Sequence, residues 1–283
     1  MQRNAYLLCR KVAVPLMRAR QMSVGHGLTT VEVDDKSGIA ILTMNRPPVN
    51  GLNLELLQDI KTSIDTIESN KSRGLILTSS SNSIFSAGLD IMEMYKPDKD
   101  RVRKFWIALQ DTWLSLYGSG IPTAAAINGH SPAGGCLLAT ACEFRTMLPN
   151  FTIGLNETKL GIVAPKWFMA TFLNVLPVRQ AEMALTQGKM FTTDEALRVG
   201  LIDSVTENKS AAISECQKFI QTFEKVNPFA RSLTKQQFRQ KDLQQFEDER
   251  DNDLEAFLFF INQPSVQKGL GIYIESLKKK AKQ

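Results

Sequence analysis

The sequence has few histidines and few cysteines. Its two histidines and four cysteines are His26, His130, Cys9, Cys136, Cys142 and Cys216. Two histidines make a multi-histidine metal site or a Ser-His-Asp triad hard to build, and the cysteine spacing matches no zinc motif. Cys136 and Cys142 lie in an apolar segment, where free cysteine behaves as a small hydrophobe. The sequence therefore predicts no metal site, and it needs no disulfide.

Long apolar runs are also missing. No stretch of about 18 apolar residues occurs, so the sequence predicts no transmembrane helix and no integral membrane contact. The 283 residues are 43% hydrophobic and 22% charged, which is ordinary for a globular protein of one large or two small domains.

Acidic residues are absent from the first 22 positions. That segment carries five basic residues, namely Arg3, Arg10, Lys11, Arg18 and Arg20. Removing these five from the total of 34 leaves 29 basic residues against 29 acidic ones, so the rest of the chain is neutral and no nucleic-acid partner is predicted. An apolar, arginine-bearing, acid-free N-terminus predicts a mitochondrial transit peptide over residues 1–22, cut near Arg20 to Ser23, and a location in the mitochondrial matrix. The alternative is a disordered or helical tail.

Hydrophobic periodicity predicts an α/β fold. Two β-rich runs, residues 28–33 and 39–44, flank a turn cluster and predict a β-hairpin. A helix over 54–68 with Asn53 as its cap, a strand over 75–78, a helix over 101–117 and a strand over 122–127 then alternate. This order is typical of right-handed parallel βαβ units. We divide the chain into a core over residues 28–205 and a mostly helical C-terminal region over 206–283.

The stretch 127–165 organises the chain. It contains a glycine-rich turn, a predicted apolar helix over 136–142 and a strand over 143–148. Gly134 and Gly135 precede this helix, so their N–H groups can approach a ligand at the positive end of the helix dipole. A second small-residue turn, Ala87-Gly88-Leu89, follows the strand over 75–78. Each turn alone reads as an ordinary βα loop, but together their N–H groups predict an oxyanion hole.

Glu157 is the candidate base. It lies in a mostly apolar run whose only other charge is Lys159, and burial in such a setting raises the pKa of a carboxylate. His130 is the alternative base, although its place before Pro132 in a turn favours a structural role.

Three motifs carry a resemblance to a known family. FSAGLDIMEM, INGHSPAGGC and IGLNETKLGIVAP, in this order and spacing, resemble the crotonase (enoyl-CoA hydratase/isomerase) superfamily. The resemblance implies a spiral of repeated ββα units, a C-terminal helical trimerisation region and a homotrimer or dimer of trimers. It also implies a fatty acyl-CoA substrate, with no cofactor other than the coenzyme A that is part of that substrate.

The resemblance also assigns roles to residues of the two turns. The N–H groups of Leu89 and Gly134 would hold the thioester oxygen. The backbone of Ala87, Gly88, Leu89, Asp90 and Ile91 would border the bent coenzyme A. Asn156 would steer Glu157 or the thioester, unless it is a turn residue that satisfies the local backbone.

The carboxylates indicate which reaction of the superfamily to expect. Its hydratases carry one glutamate directly after the Gly-Gly-Cys step and a second at the position of Glu157. Here the first position is Leu137, which would border the substrate and keep its pocket dry. One base can move a proton from C2 to C4 of a 3-enoyl thioester while the oxyanion hole holds the dienolate. We therefore expect an isomerase that converts cis- or trans-3-enoyl-CoA to trans-2-enoyl-CoA in the β-oxidation of unsaturated fatty acids.

Several alternatives stay open at this point. A hydratase or another acyl-CoA enzyme that uses Glu157 alone is one, and a non-catalytic or RNA-binding relative is another. Phe105, Trp106 and Trp113 belong either to the core or to the acyl pocket. The apolar stripe over residues 254–261 covers an active site, its own or a neighbour's, or it packs in the core or trimer.

Overall fold

The computed structural model describes residues 19–23 and 25–280. Its strands are β1 Ala19–Ser23, β2 Thr29–Asp34, β3 Ile39–Met44, β4 Gly74–Ser79, β5 Thr123–Ile127, β6 Ser131–Pro132, β7 Phe144–Met147, β8 Thr152–Gly154, β9 Phe191–Thr192 and β10 Ser204–Val205. Its α-helices are α1 Leu54–Ser69, α2 Lys99–Tyr117, α3 Gly134–Ala141, α4 Lys166–Leu173, α5 Val178–Gln187, α6 Thr193–Val199, α7 Lys209–Gln221, α8 Pro228–Ile261 and α9 Pro264–Lys280. Short 3-10 helices cover Ile91–Glu93 and Glu157–Leu160. The α/β class is confirmed.

The main sheet combines a hairpin with a parallel arrangement. Its order is β1-β2-β3-β4-β5-β7-β10. Strands β2 and β3 pair antiparallel, whereas β3, β4, β5, β7 and β10 run parallel. Both predictions for this part of the chain are thereby confirmed. Because the carboxyl ends of parallel strands lie at one edge, the loops after β4 and β5 leave the sheet side by side.

Helices cover both faces of this sheet. On one face, α1 begins where Asn53 Oδ1 accepts a hydrogen bond from the N–H of Leu56 (3.0 Å), and its apolar stripe is buried. Helix α2 lies beside α1, and Thr112 Oγ1 donates to the carbonyl of Leu57 (3.0 Å). On the other face, Cys216 and Ile220 of α7 pack with residues of β3, β4 and β5.

The C-terminal region is helical, as predicted. Helix α8 starts at Pro228, with Asn227 as its cap, and continues for 34 residues. Two of its side chains pair with Glu143 at the start of β7, namely Arg231 and Lys235. Helix α7 packs on the sheet, and α8 and α9 both contribute buried residues to the main hydrophobic core. The predicted boundary at residue 205 stays a prediction.

The start of one helix differs from its prediction. Helix α3 begins at Gly134 itself, so both glycines lie in its first turn and Ala133 precedes it. The sequence places this start two residues too late, because a boundary of this kind depends on the backbone angles of a single residue.

The N-terminal prediction falls mostly outside the described residues. Residues 1–18 lie outside them, whereas residues 19–22 form most of β1 and pair with β2. Among the described helices, none combines the length and the apolar character needed to cross a bilayer.

Candidate active site

Backbone hydrogen bonds join the loops that follow β4 and β5. The N–H of Phe85 donates to the carbonyl of His130 (3.0 Å), and the N–H of His130 donates to the carbonyl of Ser83 (2.9 Å). The buried amide of Asn128 donates to the carbonyls of Ser79 (3.1 Å) and Ser81 (2.6 Å). The two loops therefore form one unit, although about 45 residues separate them in the sequence.

His130 has a structural role in this unit. Its Nδ1 lies 3.0 Å from Thr152 Oγ1, and its ring packs edge-on against Phe151 at a centroid distance of 5.0 Å. These contacts occupy the imidazole in the loop and favour the structural interpretation over the role of base.

The N–H groups of Leu89 and Gly134 are the candidate oxyanion hole. The two neighbours of Leu89 bond to Leu52: the N–H of Leu52 donates to the carbonyl of Gly88 (2.8 Å), and the N–H of Asp90 donates to the carbonyl of Leu52 (3.0 Å). Leu89 lies between these bonds, so its own N–H points away from Leu52. The N–H of Gly134 begins α3 and has no acceptor within the helix. Among the described residues, neither group donates a hydrogen bond. A Cβ atom placed on Gly134 would lie 3.4 Å from the nitrogen of Leu89, so the two loops bring these donors together.

An unusual backbone conformation precedes the second donor. Ala133 has φ 49° and ψ −121°, which a residue with a Cβ rarely adopts. Its N–H donates to the carbonyl of Gly154 (2.8 Å), and its carbonyl accepts from the N–H of Leu137 (3.0 Å). These two bonds fix the turn. Strain of this kind is often found where a functional geometry must be held.

Glu157 is a buried carboxylate without a partner. Glu157 is the first residue of the 3-10 helix Glu157–Leu160 and is 7% exposed. Within the described part of the chain, neither carboxylate oxygen has a hydrogen-bond partner, and Lys159 is exposed. Burial raises the pKa of Glu157 to about 7. A carboxyl group with this pKa can both take up and release a proton near neutral pH.

Asn156 shares this environment. Its buried Oδ1 also lacks a partner among the described residues, and its side chain does not cap the 3-10 helix that follows. The absence of a local bond from Oδ1 favours contact with a ligand over the alternative of a turn residue.

A cavity of about 390 Å³ connects these groups. Ala87, Leu89, Ala133, Asn156 and Glu157 line one part of it. Its other walls are mostly apolar and come from the loop before α4, from α4 itself, from Trp106 of α2, and from α8 and α9. A carboxylate thus faces an apolar cavity that Leu89 also lines, whereas Gly134 is buried directly after the lining residue Ala133. A buried base near backbone N–H donors suits proton transfer next to a carbonyl whose oxygen gains negative charge.

Comparison with known proteins agrees with this geometry. The profile of one family, described as enoyl-CoA hydratase/isomerase, matches residues 34–283. The chain belongs to this family. The resemblance predicted from the three motifs is therefore confirmed, and so is the fold expected of the enoyl-CoA hydratase/isomerase family.

Relatives within the family carry isomerase names. The chain is 42% identical over 253 residues to a mouse (Mus musculus) protein named enoyl-CoA delta isomerase 1, mitochondrial. The alignment covers 88% of this chain and 87% of the mouse protein. It is 41% identical to the human (Homo sapiens) protein of the same name, over 88% and 83% of the two chains. A crystal structure of human mitochondrial delta3-delta2-enoyl-CoA isomerase superposes with a TM-score of 0.86 at 40% identity, over 89% of this chain and 99% of that one.

Not every predicted site residue lines the cavity of this chain. Leu137 is fully buried in the hydrophobic core and does not line the cavity. The carboxylate of Asp90 pairs with Arg46 (2.8 Å) and accepts from the N–H of Met92 (3.0 Å). Gly88 contributes a backbone with φ +85°. Ile91 and Ala87 do line the cavity.

The open alternatives for the aromatic residues divide. Trp106 lines the cavity, whereas Phe105 and Trp113 are core residues. The stripe over residues 254–261 contributes Phe257, Phe260 and Ile261 to the cavity of its own chain. Sequence reasoning missed Phe168 and Asp253, since nothing local marks a residue that reaches the site from a distant helix.

A metal is not needed to explain these groups. Within residues 19–23 and 25–280, no three His, Cys, Asp or Glu side chains are grouped as metal ligands. Asp253, the second acid on the cavity wall, accepts hydrogen bonds from Trp106 Nε1 (2.8 Å) and Gln110 Nε2 (2.8 Å). Its carboxylate is thereby tied to α2, whereas that of Glu157 has no hydrogen-bond partner among the described residues.

Proposed function

We propose that this protein is an isomerase that moves the double bond of a cis- or trans-3-enoyl-CoA to give trans-2-enoyl-CoA, in the breakdown of unsaturated fatty acids. The observation that carries this proposal is the unpartnered carboxylate of Glu157 in an apolar cavity that Leu89 also lines. The close approach of Leu89 and Gly134 to each other supports it. The isomerase names of relatives that match most of the chain support it.

The reaction needs one base and one place for negative charge. Glu157, as a carboxylate, takes a proton from C2 of the 3-enoyl thioester. The electron pair of that C–H bond forms a C1–C2 double bond while the π pair of the thioester carbonyl moves to its oxygen, where the N–H groups of Leu89 and Gly134 hold the dienolate charge. When the carbonyl re-forms, the C1–C2 pair becomes the C2–C3 double bond and the C3–C4 π pair becomes the new C–H bond at C4. Glu157 then returns the proton to C4. Substrate and product have the same atoms, and the enzyme ends as it began.

Asn156 supports this step. Its free Oδ1 is next to Glu157 in the chain and lines the same cavity. We infer that the amide orients either the carboxyl group of Glu157 or the thioester. Residues Ala87 to Ile91 border the coenzyme A portion through their backbone, with Asp90 acting through its contact to Arg46.

Hydration is disfavoured because it needs a second group to hold water. The position after the Gly-Gly-Cys step is Leu137, whose side chain is enclosed in the core. Glu157 alone would have to activate water and manage the second proton in an apolar cavity.

Product identity tests the proposal. Purified protein is supplied separately with 3-hexenoyl-CoA and 2-hexenoyl-CoA. We expect rapid 2-enoyl product from the first and little 3-hydroxyacyl product from the second. Fast hydration of 2-hexenoyl-CoA with no isomerisation would replace this function by that of a hydratase.

We also propose a homotrimer that assembles through the C-terminal helices. Three phenylalanines of α8 are 73–86% exposed in the single chain, namely Phe229, Phe238 and Phe259. Exposed large apolar side chains on one element mark an interaction surface. Light scattering on the purified protein should give three times the mass of one chain, and Phe238→Glu should lower it.

We propose the mitochondrial matrix as the location. The names of the mouse and human relatives include the word mitochondrial. The acid-free N-terminus fits import, although a cut after residue 22 would remove most of β1 from the sheet. Sequencing the N-terminus of protein isolated from mitochondria tests both the import and the position of the cut.

A further inference from the structure

A second cavity of about 470 Å³ lies next to the first. The second cavity lies between α4 and α8, and these two helices also contribute to the wall of the first. Helix α8 lines the first with residues from Asp253 to Ile261 and the second with residues from Asp242 to Ala256. The shared part is a single turn of helix, about 5.4 Å long. Among the described residues, Asp253 and Ala256 alone line both cavities, so they form the ridge between them.

Ala256 has the smaller side chain of the two residues that form the ridge. The carboxylate of Asp253 is held by Trp106 Nε1 and Gln110 Nε2, both on α2, each at 2.8 Å. The indole of Trp106 is stacked on Phe257 at a centroid distance of 3.7 Å, which fixes the wall on that side. The methyl group of Ala256 is then the smallest side chain between the two cavities.

The second cavity has an apolar floor and a polar rim. Trp167, Ala170 and Phe246 provide apolar surface, and Trp167 and Phe246 are nearly fully buried. Lys166 and Glu249 form an ion pair on the rim at 3.1 Å. The acids on the rim argue against an anionic ligand, whereas an uncharged aliphatic chain can lie on the floor with the rim in water.

We propose that the second cavity binds the distal part of long acyl chains, which cross the ridge at Ala256. The proposal rests on the acyl-CoA function proposed above. A short acyl chain lies within the first cavity, next to Glu157. A longer chain continues along the groove, so Ala170 and Ala256 determine how well the protein discriminates between chain lengths.

Binding of saturated acyl-CoAs tests the proposal without relying on turnover. Dissociation constants for hexanoyl-CoA and dodecanoyl-CoA are measured by calorimetry for the wild type, Ala170→Leu, Ala256→Leu and the control Ala230→Leu. Ala230 lies on the exposed surface of α8 and lines neither cavity. We expect Ala170→Leu to weaken dodecanoyl-CoA relative to hexanoyl-CoA by about tenfold, because several methylene groups return to water. Ala256→Leu should shift the ratio in the same direction, and Ala230→Leu should not shift it.

The outcomes separate this proposal from the isomerase function. If neither Ala170→Leu nor Ala256→Leu changes the ratio beyond the control, the second cavity is not an acyl subsite. A change in oligomer mass without a change in the ratio would assign the cavity to a second copy of the chain and would equally overturn the proposal. Failure of the isomerase function appears separately, as absent turnover of 3-hexenoyl-CoA by wild-type protein that still binds hexanoyl-CoA.

Discussion

Gly88 faces the backbone nitrogen of Gly134 so closely that a Cβ atom at residue 88 would lie 3.1 Å from that nitrogen and 2.9 Å from the Cβ of Ala133. Gly88 also has φ +85°. The close approach of the two loops therefore depends on a residue without a side chain. The same approach places the N–H groups of Leu89 and Gly134 together.

Gly88→Ala is expected to disturb this approach. The added methyl group would push Gly134 away from Leu89, so we expect kcat to fall by about 100-fold, the usual effect of losing one oxyanion donor. Steady-state kinetics with 3-hexenoyl-CoA measure the loss.

Gly200→Ala is the matched control. Gly200 has φ +81°, nearly the same as Gly88, but a Cβ atom there would meet nothing within 4 Å. Both substitutions carry the conformational cost of a positive φ, and only Gly88→Ala affects the two donors. Equal losses of kcat in the two variants would show that the contact with Gly134 is irrelevant to catalysis.

Glu157→Gln should abolish isomerisation. The amide has nearly the shape of the carboxyl group but cannot accept the C2 proton, so we expect kcat to fall by about 1,000-fold or more. Binding of hexanoyl-CoA should stay within a few-fold of wild type, as measured by calorimetry. Activity that survives in this variant would mean that another residue is the base.

The pH dependence of turnover should report Glu157. Its pKa is raised to about 7 by burial, and the reaction needs the ionised form. We therefore expect kcat/KM to rise with pH up to about 7 and then to level off, with one ionisation on the acidic side. A rate that is constant between about pH 5 and pH 8 would contradict the raised pKa.

The same ionisation should affect folding stability in the opposite direction: turnover rises with pH, whereas stability falls. The folded protein holds the Glu157 proton up to about pH 7, whereas the ordinary pKa of the group is 4.5, so folding stability falls as the pH rises between these values. Glu157→Gln removes this loss. We expect the variant to be more stable than wild type by on the order of 3 kcal/mol near pH 8, and nearly equal near pH 4. Urea unfolding at the two pH values measures the difference, and an equal difference at both would exclude a buried ionised carboxylate.

Asp90 is expected to position its neighbour Leu89, because its ion pair with Arg46 holds the loop that contains both residues. Arg46 pairs with Asp90 and also donates to the carbonyl of Gly51 (2.8 Å), which ties this loop to the start of α1. Asp90→Asn should lower kcat by about tenfold through misplacement of the adjacent N–H, with a small change in KM. Asp65→Asn is the control, because Asp65 forms an exposed ion pair with Lys61 on α1. A rise in KM with kcat unchanged would instead support direct contact of Asp90 with coenzyme A.

Local signals in the sequence predict the hairpin, the parallel strands, the two glycine turns and the buried setting of Glu157, whose role as the base stays a prediction. Each depends on a local signal: the alternation around β2 and β3, the small residues at 87–89 and 133–135, and one glutamate in an apolar run. The contact between Trp106 and Phe257 could not be predicted, because about 150 residues separate them and the periodicity of α8 shows which face is apolar but not what covers it.

Leu137 illustrates a second limit of sequence reasoning. The resemblance places this position beside the substrate, whereas the side chain is fully buried in the core and is not part of the cavity wall. An apolar residue in an apolar helix is expected to be buried, but the sequence does not show whether it also borders a ligand. Contact of Leu137 with the substrate therefore stays a prediction.

Proton transfer by Glu157 alone is tested most directly with 3-hexenoyl-CoA that carries deuterium at C2. The substrate is converted in ordinary water, and the position of deuterium in the product is determined by mass spectrometry and NMR. Because one carboxyl group in a buried cavity takes the C2 proton and returns it to C4, we predict deuterium at C4 of a substantial fraction of the 2-hexenoyl-CoA. Normal turnover with only solvent hydrogen at C4 would contradict transfer by a single enclosed base.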